Sequence, residues 1–287
     1  MSSTFWSNTI WYILLFFTSI ISVVLILYKT KNIKSSIAFL FSILGFSFLI
    51  EAILALGLKA YSYHPKIVAD IFLDNVFGNY FSQISVSSSS LLIIIFNLSS
   101  IWYFIFSLIY FVIEELFLKL GIYQHFWYNS IYTLFGFPFF FWFNKKWYEK
   151  EKNSSNNLIH YITLFFSIFA INSLTIILSQ RLLGIQIFKG HFFAEMSKDH
   201  TTTGLIYQFF QINLLIILFR SKLHSLKKTI VFSCLFFVQY LLYSAGFIYI
   251  PKGLFFTVTS LDLLGCYFWI VTFNFFLLSK ECPEKVE

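Results

Sequence analysis

The sequence predicts an all-α fold, a polytopic transmembrane helix bundle of about nine spans that forms one integral membrane domain over residues 1–287. Hydrophobic residues make up 58% of the chain and charged residues only 11%, whereas soluble globular domains carry about 25% charged residues. Apolar stretches of about 20 residues, long enough to cross the hydrocarbon core of a bilayer, recur from one end of the chain to the other. Lysine and arginine cluster between those stretches, as they do in the cytoplasmic loops of membrane proteins.

The predicted spans cover residues 8–28, 36–58, 79–97, 101–121, 130–147, 157–179, 203–220, 229–250 and 254–278. The first is expected to be an uncleaved span, because no lysine or arginine precedes it and no small-residue cleavage site follows it. Residues 87–120 could form a single helix, but its length of about 51 Å would exceed a hydrocarbon core of about 30 Å. Asn97, Ser99 and Ser100 interrupt this run, so we predict a break between the third and fourth spans.

Three clusters of basic residues predict how the spans are oriented. They lie at residues 29–34, 145–152 and 220–228, directly after the first, fifth and seventh spans. Nine spans with the N-terminus outside and the C-terminus in the cytoplasm place all three clusters on the cytoplasmic side. The two longer outer segments, Lys59–Gly78 and Gln180–Thr202, are then expected to lie as interfacial helices. The predicted location is the cell membrane, which the chain crosses several times.

Composition and cysteine spacing also indicate which classes of partner and cofactor to expect. The formal net charge is +7, but no basic stripe with an aromatic platform lies outside the spans, so we expect no nucleic-acid partner. The cysteines show neither a CxxC pair nor cysteine–histidine spacing, so neither a disulfide framework nor a structural zinc site is expected. We expect no cofactor. The expected partners are the lipid bilayer and a small solute or ion.

Acidic residues inside the apolar stretches mark the positions where function is expected. Glu51, Glu114, Glu115 and Asp262 all fall in predicted spans. An ionisable side chain at that depth costs about 3 kcal/mol or more, so it normally faces a polar cavity, a partner or a proton path. We predict that Glu51, Glu115 and Asp262 line one binding cavity, with Lys119 as the counter-ion of Glu115 one helical turn away. The alternative for Asp262 is interhelical hydrogen bonding.

Glu114, Glu115 and His125 are weaker candidates for acid–base catalysis. Consecutive residues of a helix point about 100 degrees apart, so Glu114 cannot share Lys119 with Glu115. It needs a partner of its own, either His125 or a residue of a neighbouring span.

A metal-binding site is a further hypothesis from the sequence. His191, Glu195 and Asp199 are spaced four residues apart, so on a helix they would lie along one face. Imidazole and carboxylate groups in that arrangement can hold a divalent metal ion. The alternative for these residues is a solvated amphipathic face.

One short pattern recurs, in which a polar residue precedes a glycine by six positions. It is found at Glu51–Gly57 and Glu115–Gly121 and, more loosely, at Tyr240–Gly246. The glycine can end a helix because it tolerates the left-handed conformation. Either the matches arise by chance in a leucine-rich chain, or the chain contains an internal duplication like those of many transporters.

Two stretches carry a family resemblance. Residues 114–133 read E-E-L-F-L-K-L-G-I-Y-Q-H-F-W-Y-N-S-I-Y-T, and residues 63–83 read Y-H-P-K-I-V-A-D-I-F-L-D-N-V-F-G-N-Y-F-S-Q. Over about residues 50–147 the chain resembles uncharacterised multi-span membrane proteins of Bacillus- and Clostridium-type spore-forming bacteria. The resemblance implies a protein of the bacterial inner membrane and implies no particular activity.

Residues 114–119, E-E-L-F-L-K, are also similar to the E-E-x-x-x-R signature of the CPBP-type intramembrane proteases, with lysine in place of arginine. The F-x-x-x-H motif of that family is absent. His125 and Asn129 match its H-x-x-x-N motif, but on a predicted loop. What this resemblance implies is an activity that uses Glu114 and Glu115.

Three functions therefore remain open. The first is a non-enzymatic protein that binds or moves a small solute or ion through an acid-lined intramembrane cavity. The second is an intramembrane hydrolase or transferase of CPBP-like type, and the third is a structural or accessory membrane subunit. Transport predicts that separate spans bring acids to one cavity, whereas an enzyme predicts a tight cluster of acid and histidine at one membrane face.

Overall fold

The computed structural model of the chain describes residues 4–153, 156–175, 184–221 and 224–279. It is 78% helical, and this part of the chain contains nine α-helices. Six helical segments are long and apolar enough to cross a membrane: Phe5–Lys29, Ile33–Gly57, Ile101–Lys119, Asn157–Thr175, Met196–Arg220 and Phe255–Leu278. The protein is an all-α helical bundle of the integral membrane class.

The elements follow one another in a regular order. The helices are α1 Ile10–Lys29, α2 Ile33–Glu51, α3 Ile71–Ile95, α4 Ile101–Lys119, α5 Ser130–Asn153, α6 Asn157–Thr175, α7 Met196–Arg220, α8 Ser225–Ser244 and α9 Phe255–Leu278. Two π-helical turns adjoin them, Phe5–Thr9 before α1 and Ala52–Gly57 after α2. The four short strands are β1 Tyr61–Tyr63, β2 Tyr123–His125, β3 Ile187–Phe188 and β4 Ile248–Tyr249. Antiparallel pairing joins β1 to β2 and β3 to β4.

The break predicted between the third and fourth spans is confirmed. Helix α3 ends at Ile95, α4 begins at Ile101, and Asn97 between them adopts a left-handed φ of 48°. Asparagine visits that region more readily than most residues, because its short polar side chain can form local hydrogen bonds. The start of α3 lies earlier than predicted, because the side chain of Asp70 caps it by accepting a hydrogen bond from the backbone N–H of Leu73 at 2.9 Å.

The two outer segments are not the interfacial helices that the sequence predicted. Lys59–Gly78 contains β1 and a loop before α3 begins, and the described part of Gln180–Thr202 contains β3 and a loop before α7 begins. In each loop the backbone N–H groups are held by one carboxylate of the following helix, which stabilises an irregular path. Local side-chain hydrogen bonding therefore replaces the helical hydrogen bonds.

The chain consists of α1 followed by two units with the same order of elements. We call α2 to α5 the first half and α6 to α9 the second half. Helices α3 and α7 both have 25 residues, and α5 and α9 both have 24. Equivalent residues lie 125 positions apart, as Ser42 and Ser167 do. This regularity supports an internal duplication.

The loops before α3 and α7 show the same hydrogen bonds at equivalent positions. Asp74 accepts from the backbone N–H groups of residues 66–68, and Asp199 accepts from those of residues 190–193. Equivalent backbone positions within these loops also share a left-handed conformation, with φ of 57° at Lys66 and 59° at His191.

Two of the three recurring glycine patterns belong to this duplication. Glu115–Gly121 and Tyr240–Gly246 end α4 and α8, and their glycines have φ of 67° and 82°. Positive φ is the conformation that favours glycine at the end of a helix. Glu51–Gly57 ends a different helix, α2, so its similarity to the other two is not part of the repeat.

The two halves pack against each other through α2 and α6. Ser42 Oγ and Ser167 Oγ lie 2.7 Å apart. The Ser42 hydroxyl donates to the carbonyl oxygens of Ala38 at 3.0 Å and Thr163 at 2.9 Å, and the Ser167 hydroxyl lies 3.1 and 2.8 Å from the same two oxygens. These reciprocal contacts between equivalent residues define a pseudo-twofold axis that passes between the two serines.

Small residues allow this close approach of α2 and α6. A Cβ atom on Gly45 would lie 2.0 Å from the carbonyl oxygen of Phe166, so only glycine fits there. Small and hydroxyl-bearing residues are typical of helix interfaces in membranes, because lipid provides no hydrophobic driving force between helices. The largest cluster of buried apolar residues surrounds this interface and draws side chains from α2, α6, α7 and α9.

All four strands lie at one end of the bundle, which we call the strand end. β1 and β2 follow the C-terminal ends of α2 and α4, and β3 and β4 follow those of α6 and α8. Because α2 and α6 run side by side in the same direction, both strand pairs are at the same end. The basic residues at 29–34 and 145–152, together with Arg220 and Lys228, lie near the opposite end.

Candidate functional site

A cavity of about 540 Å³ lies inside the first half, between α2, α3, α4 and α5 near the strand end. Its lining is mostly apolar and aromatic, and it includes the carboxyl groups of Glu51 and Glu114. Trp127, Tyr132 and Phe139 also line it, and they are 50%, 52% and 64% exposed. The cavity is therefore open at the side of the bundle beside α5.

Glu51 is the last residue of α2 and is only 5% exposed. Its Oε2 accepts hydrogen bonds from the hydroxyl of Tyr61 at 2.7 Å and from the side-chain amide of Gln83 at 2.9 Å. Its Oε1 has no hydrogen-bond partner among the described residues. The helix becomes π-helical directly afterwards, at Ala52–Gly57, a geometry that is frequent at functional sites. One carboxylate oxygen of Glu51 therefore remains available to a bound group.

Glu114 faces the same cavity from α4. Its Oε1 lies 2.7 Å from Nε2 of His125, and its Oε2 accepts a hydrogen bond from the hydroxyl of Thr133. Because the Thr133 proton is directed to Glu114, the hydroxyl of Tyr128, 3.0 Å from Thr133 Oγ1, is the donor in that second pair. His125 is thus the separate partner that Glu114 requires.

A row of tyrosines connects the two acids. The ring centroids of Tyr61 and Tyr128 lie 4.9 Å apart, and those of Tyr63 and Tyr123 lie 4.7 Å apart. Burial raises the pKa of Tyr128 to about 12 and raises the pKa values of Tyr61, Tyr63 and Tyr123 well above the usual range for tyrosine. These phenols are therefore neutral hydrogen-bond donors, and they add no negative charge to the cavity.

Helix α4 turns Glu115 and Lys119 away from the cavity. Glu114 shares the cavity side of α4 with Tyr110 and Phe117, which lie at the spacing of one helix face. Glu115 is one residue further and about 100 degrees around the helix. Both Glu115 and Lys119 are exposed, so the acids that meet in the cavity are Glu51 and Glu114.

Asp262 lies in the second half and is not among the residues that line the cavity. Its Oδ2 accepts hydrogen bonds from the side-chain amides of Gln239 at 2.6 Å and Gln211 at 3.0 Å. This is the interhelical arrangement that the sequence left as the alternative for Asp262. The structure therefore does not bring Glu51, Glu115 and Asp262 together.

The predicted metal ligands do not share a helix face. Helix α7 begins at Met196, so His191 and Glu195 precede it and only Asp199 lies on it. Both oxygens of Asp199 accept backbone N–H groups of the preceding loop. Among the described residues, no group of three or more histidine, cysteine, aspartate or glutamate side chains is placed to hold a metal ion.

Sequence reasoning missed the residues that hold the two acids: Tyr61, Gln83, Tyr128 and Thr133. A carboxylate buried in a membrane requires hydrogen-bond donors. The available signal was the presence of neutral donors in the serine-rich third span, in the first outer segment and around the start of the fifth span. The sequence could not indicate which of these donors reach the acids, because it does not show which helices are neighbours.

A comparison with known protein families, curated proteins and solved structures finds no match to this chain. The functional conclusion therefore depends on the chemistry of the cavity. Two carboxylates in an aromatic wall favour a ligand that has an apolar body and a positive charge.

Proposed function

We propose that this integral membrane protein binds a small organic cation in the cavity of the first half and moves it through the membrane. The observation that carries the proposal is the presence of two carboxylates, Glu51 and Glu114, in one cavity of about 540 Å³ with a mostly aromatic and apolar lining. Of the described residues that line this cavity, none is lysine or arginine. His125 is the partner of Glu114, and we assign the charge of Glu51 to a bound ligand.

The size and lining of the cavity support a ligand larger than an inorganic ion. Small-molecule sites have volumes of about 300–1,000 Å³ and are lined mainly by hydrophobic and aromatic side chains with a few polar groups. Aromatic rings offer apolar contact and also attract cations through their faces. The Oε1 atom of Glu51 has no hydrogen-bond partner among the described residues, and an unsatisfied carboxylate oxygen is costly in a membrane, so binding of an ammonium or pyridinium group would relieve part of that cost.

The proposed ligand enters the cavity from the side of the bundle, where residues that line the cavity are exposed. Tyr132 and Phe139, both on α5, line the cavity and are more than half exposed. Two lining helices depart from regular α-helical geometry, α2 at the π-helical turn Ala52–Gly57 and α5 at Pro138. Such positions are where helices bend, so we assign them as the hinges that open and close the cavity.

The proposed topology has nine spans, with the N-terminus outside and the C-terminus in the cytoplasm. It is supported by the basic clusters, which lie near the end opposite the strands and belong on the cytoplasmic side. The strand end and the cavity beside it then face outward. A bacterial plasma membrane is the proposed location, on the basis of the resemblance described above.

Binding of a matched pair of ions tests this function. Tetraphenylphosphonium and tetraphenylborate have nearly the same shape and opposite charge. In lipid nanodiscs, equilibrium dialysis is expected to show saturable binding of tetraphenylphosphonium that Glu114→Gln and Glu51→Gln each weaken about tenfold, which corresponds to about 1.4 kcal/mol.

Asp262→Asn is the matched control, since it removes a half-buried acid that does not line the cavity. It is expected to leave tetraphenylphosphonium binding unchanged. Equal binding of tetraphenylborate, or an equal loss in Asp262→Asn, would show that the two cavity acids do not select the ligand.

The contact between Glu114 and His125 favours one second candidate, an intramembrane hydrolase or transferase. A carboxylate 2.7 Å from an imidazole beside a cavity is an arrangement suited to general acid–base catalysis. Mass spectrometry of the small molecules that co-purify with the protein separates the two functions. An enzyme would accumulate a different molecule, its substrate, in Glu114→Gln, whereas a binding protein would retain the same molecule in a smaller amount.

A further inference from the structure

A second cavity, of about 50 Å³, lies between the two halves. It is bordered by α2 and α3 of the first half and by α6 and α7 of the second half. Three pairs of equivalent residues line it together: Phe48 with Ser173, Val76 with Thr201, and Tyr80 with Leu205. A cavity that contacts both members of several equivalent pairs lies on the pseudo-twofold axis, and we call it the axial cavity.

The axial cavity has buried oxygen atoms that lack partners. Glu51 Oε1 and Ser173 Oγ have no hydrogen-bond partner among the described residues, and the two side chains are 5% and 3% exposed. Leaving a buried polar atom unsatisfied costs about 1–3 kcal/mol. Thr201 donates its hydroxyl proton to the carbonyl oxygen of Ser197 at 2.9 Å, which leaves its lone pairs available. Asn79 adds a side-chain amide to the lining.

The volume of the axial cavity and the atoms that line it indicate which ligand it binds. A water molecule needs about 10–15 Å³ of such space, so the axial cavity holds a few small particles and no organic molecule. A carboxylate, two hydroxyls and an amide are the hard oxygen ligands that alkali and alkaline-earth cations prefer. Of the described residues that line the axial cavity, Glu51 is the one acid, and a single negative charge matches a monovalent cation.

We infer that the axial cavity is a Na⁺ site. Its ligands are Glu51 Oε1, Ser173 Oγ, Thr201 Oγ1 and the side-chain oxygen of Asn79. The site bridges the first half, through α2 and α3, to the second half, through α6 and α7. Coupling-ion sites near the interface between repeats are a general feature of membrane transporters built from repeats.

Among the residues that the structure describes, Glu51 is the only one that lines both cavities. Its Oε2 is directed to the hydrogen-bond network of the first half, and its Oε1 is the oxygen assigned to Na⁺. Two cations that share one carboxylate repel each other, so occupancy of either cavity lowers the affinity of the other, reciprocally. This competition depends on the proposed function, whereas the Na⁺ site does not.

Direct binding of ²²Na⁺ and thermal unfolding test the site. The full-length protein in nanodiscs is measured at pH 8, with NaCl replaced stepwise by CsCl at constant ionic strength, because Cs⁺ is much larger than Na⁺ and is not an organic cation. We expect saturable ²²Na⁺ binding and a melting temperature that rises by several degrees as Na⁺ replaces Cs⁺, because a ligand that binds only the folded state stabilises it. Ser173→Ala is expected to weaken Na⁺ binding about tenfold.

Ser90→Ala is the matched control. Ser90 is a fully buried serine of α3 whose hydroxyl also has no partner among the described residues, and it lines neither cavity. It is expected to bind Na⁺ like the wild type. Glu51→Gln, which keeps the shape of the side chain, provides a second variant that should lose Na⁺ binding.

The outcomes separate the two proposals. Ser173 lines only the axial cavity and Glu114 only the large one, so Ser173→Ala should keep tetraphenylphosphonium binding and Glu114→Gln should keep Na⁺ binding. Equal melting temperatures in NaCl and CsCl with no bound ²²Na⁺ would overturn the Na⁺ site and leave the organic-cation proposal intact. A loss of Na⁺ binding in Ser90→Ala as large as in Ser173→Ala would overturn it too.

Discussion

The two halves of this protein share the same order of helices and strands and differ in the side chains that lie between those helices. In the first half, Glu51 and Glu114 border a cavity of about 540 Å³. In the second half, the residue equivalent to Glu114 is Gln239, and its amide donates to Asp262 at 2.6 Å. Both halves keep the strand pair, the aspartate that holds the loop, and the glycine that ends the fourth or eighth helix.

The difference teaches that an intramembrane acid has two distinct uses. Asp262 receives two amide donors on one oxygen and joins three helices, α7, α8 and α9, so it contributes to packing. Glu51 keeps one oxygen without a partner and borders two cavities, so it can bind a group from outside the protein. Each acid accepts two hydrogen bonds on one oxygen, so the presence of a cavity beside the acid, and not its number of protein partners, separates the two uses.

The largest expected effect comes from a substitution at the interface between the two halves. Gly45→Ala places a Cβ atom 2.0 Å from the Phe166 carbonyl oxygen, and α2 and α6 must separate to accommodate it. We expect a loss of about 3 kcal/mol in the free energy of unfolding, measured by thermal unfolding in detergent. Gly265→Ala is the control, because a Cβ there has nothing within 4 Å. Equal stability of the two variants would contradict the close approach of α2 and α6.

The equivalence of the two loops can be tested next. Asp74→Asn and Asp199→Asn each replace one of the carboxylate oxygens that accept backbone N–H groups with an amide donor. Each is expected to lower the free energy of unfolding by about 2 kcal/mol, and by similar amounts if the loops are equivalent. Glu195→Gln, at an exposed position with no side-chain cap, should change little. A large effect in one half alone would argue against the repeat.

A third, smaller effect concerns Glu114. The second half already carries glutamine at the equivalent position, so the fold that the two halves share accommodates an amide there. Glu114→Gln is therefore expected to cost less than about 1 kcal/mol in unfolding free energy, since Thr133 can still donate to the amide oxygen. Gln239→Leu is the counterpart and should cost more, because it removes a donor from Asp262. The reverse order would mean that the acid of the first half is structural.

The smallest expected effect is at Glu115. Its side chain and that of Lys119 are both exposed, and the described part of the chain shows no ion pair between them, so the predicted counter-ion contact is absent. Exposed charges contribute little to stability. Glu115→Gln should unfold within about 0.5 kcal/mol of the wild type, with Lys119→Gln as the control. A loss comparable with that of Asp74→Asn would restore Glu115 and Lys119 as a structural pair and weaken the contrast with Glu114.

Much of the fold could be predicted from the sequence. The break at Asn97 is confirmed, and the helices occur in the order of the apolar stretches. The similarity of Glu115–Gly121 to Tyr240–Gly246 was the visible trace of the repeat. The loops at the strand end could not be predicted, because Asp74 and Asp199 order them through hydrogen bonds to several backbone groups at once, and a hydropathy pattern carries no information about such contacts.

The sequence by itself determined that the apolar stretches form helices and where along the chain the basic residues cluster, because apolar length and charge act locally along the chain. Only the tertiary structure decided which acids meet. A single step along α4 turns the side chain by about 100 degrees, so Glu114 enters the cavity and Glu115 does not. The contacts of α2 with α6 and of α9 with α7 and α8 then place Glu51 at the boundary between the halves and Asp262 among glutamines.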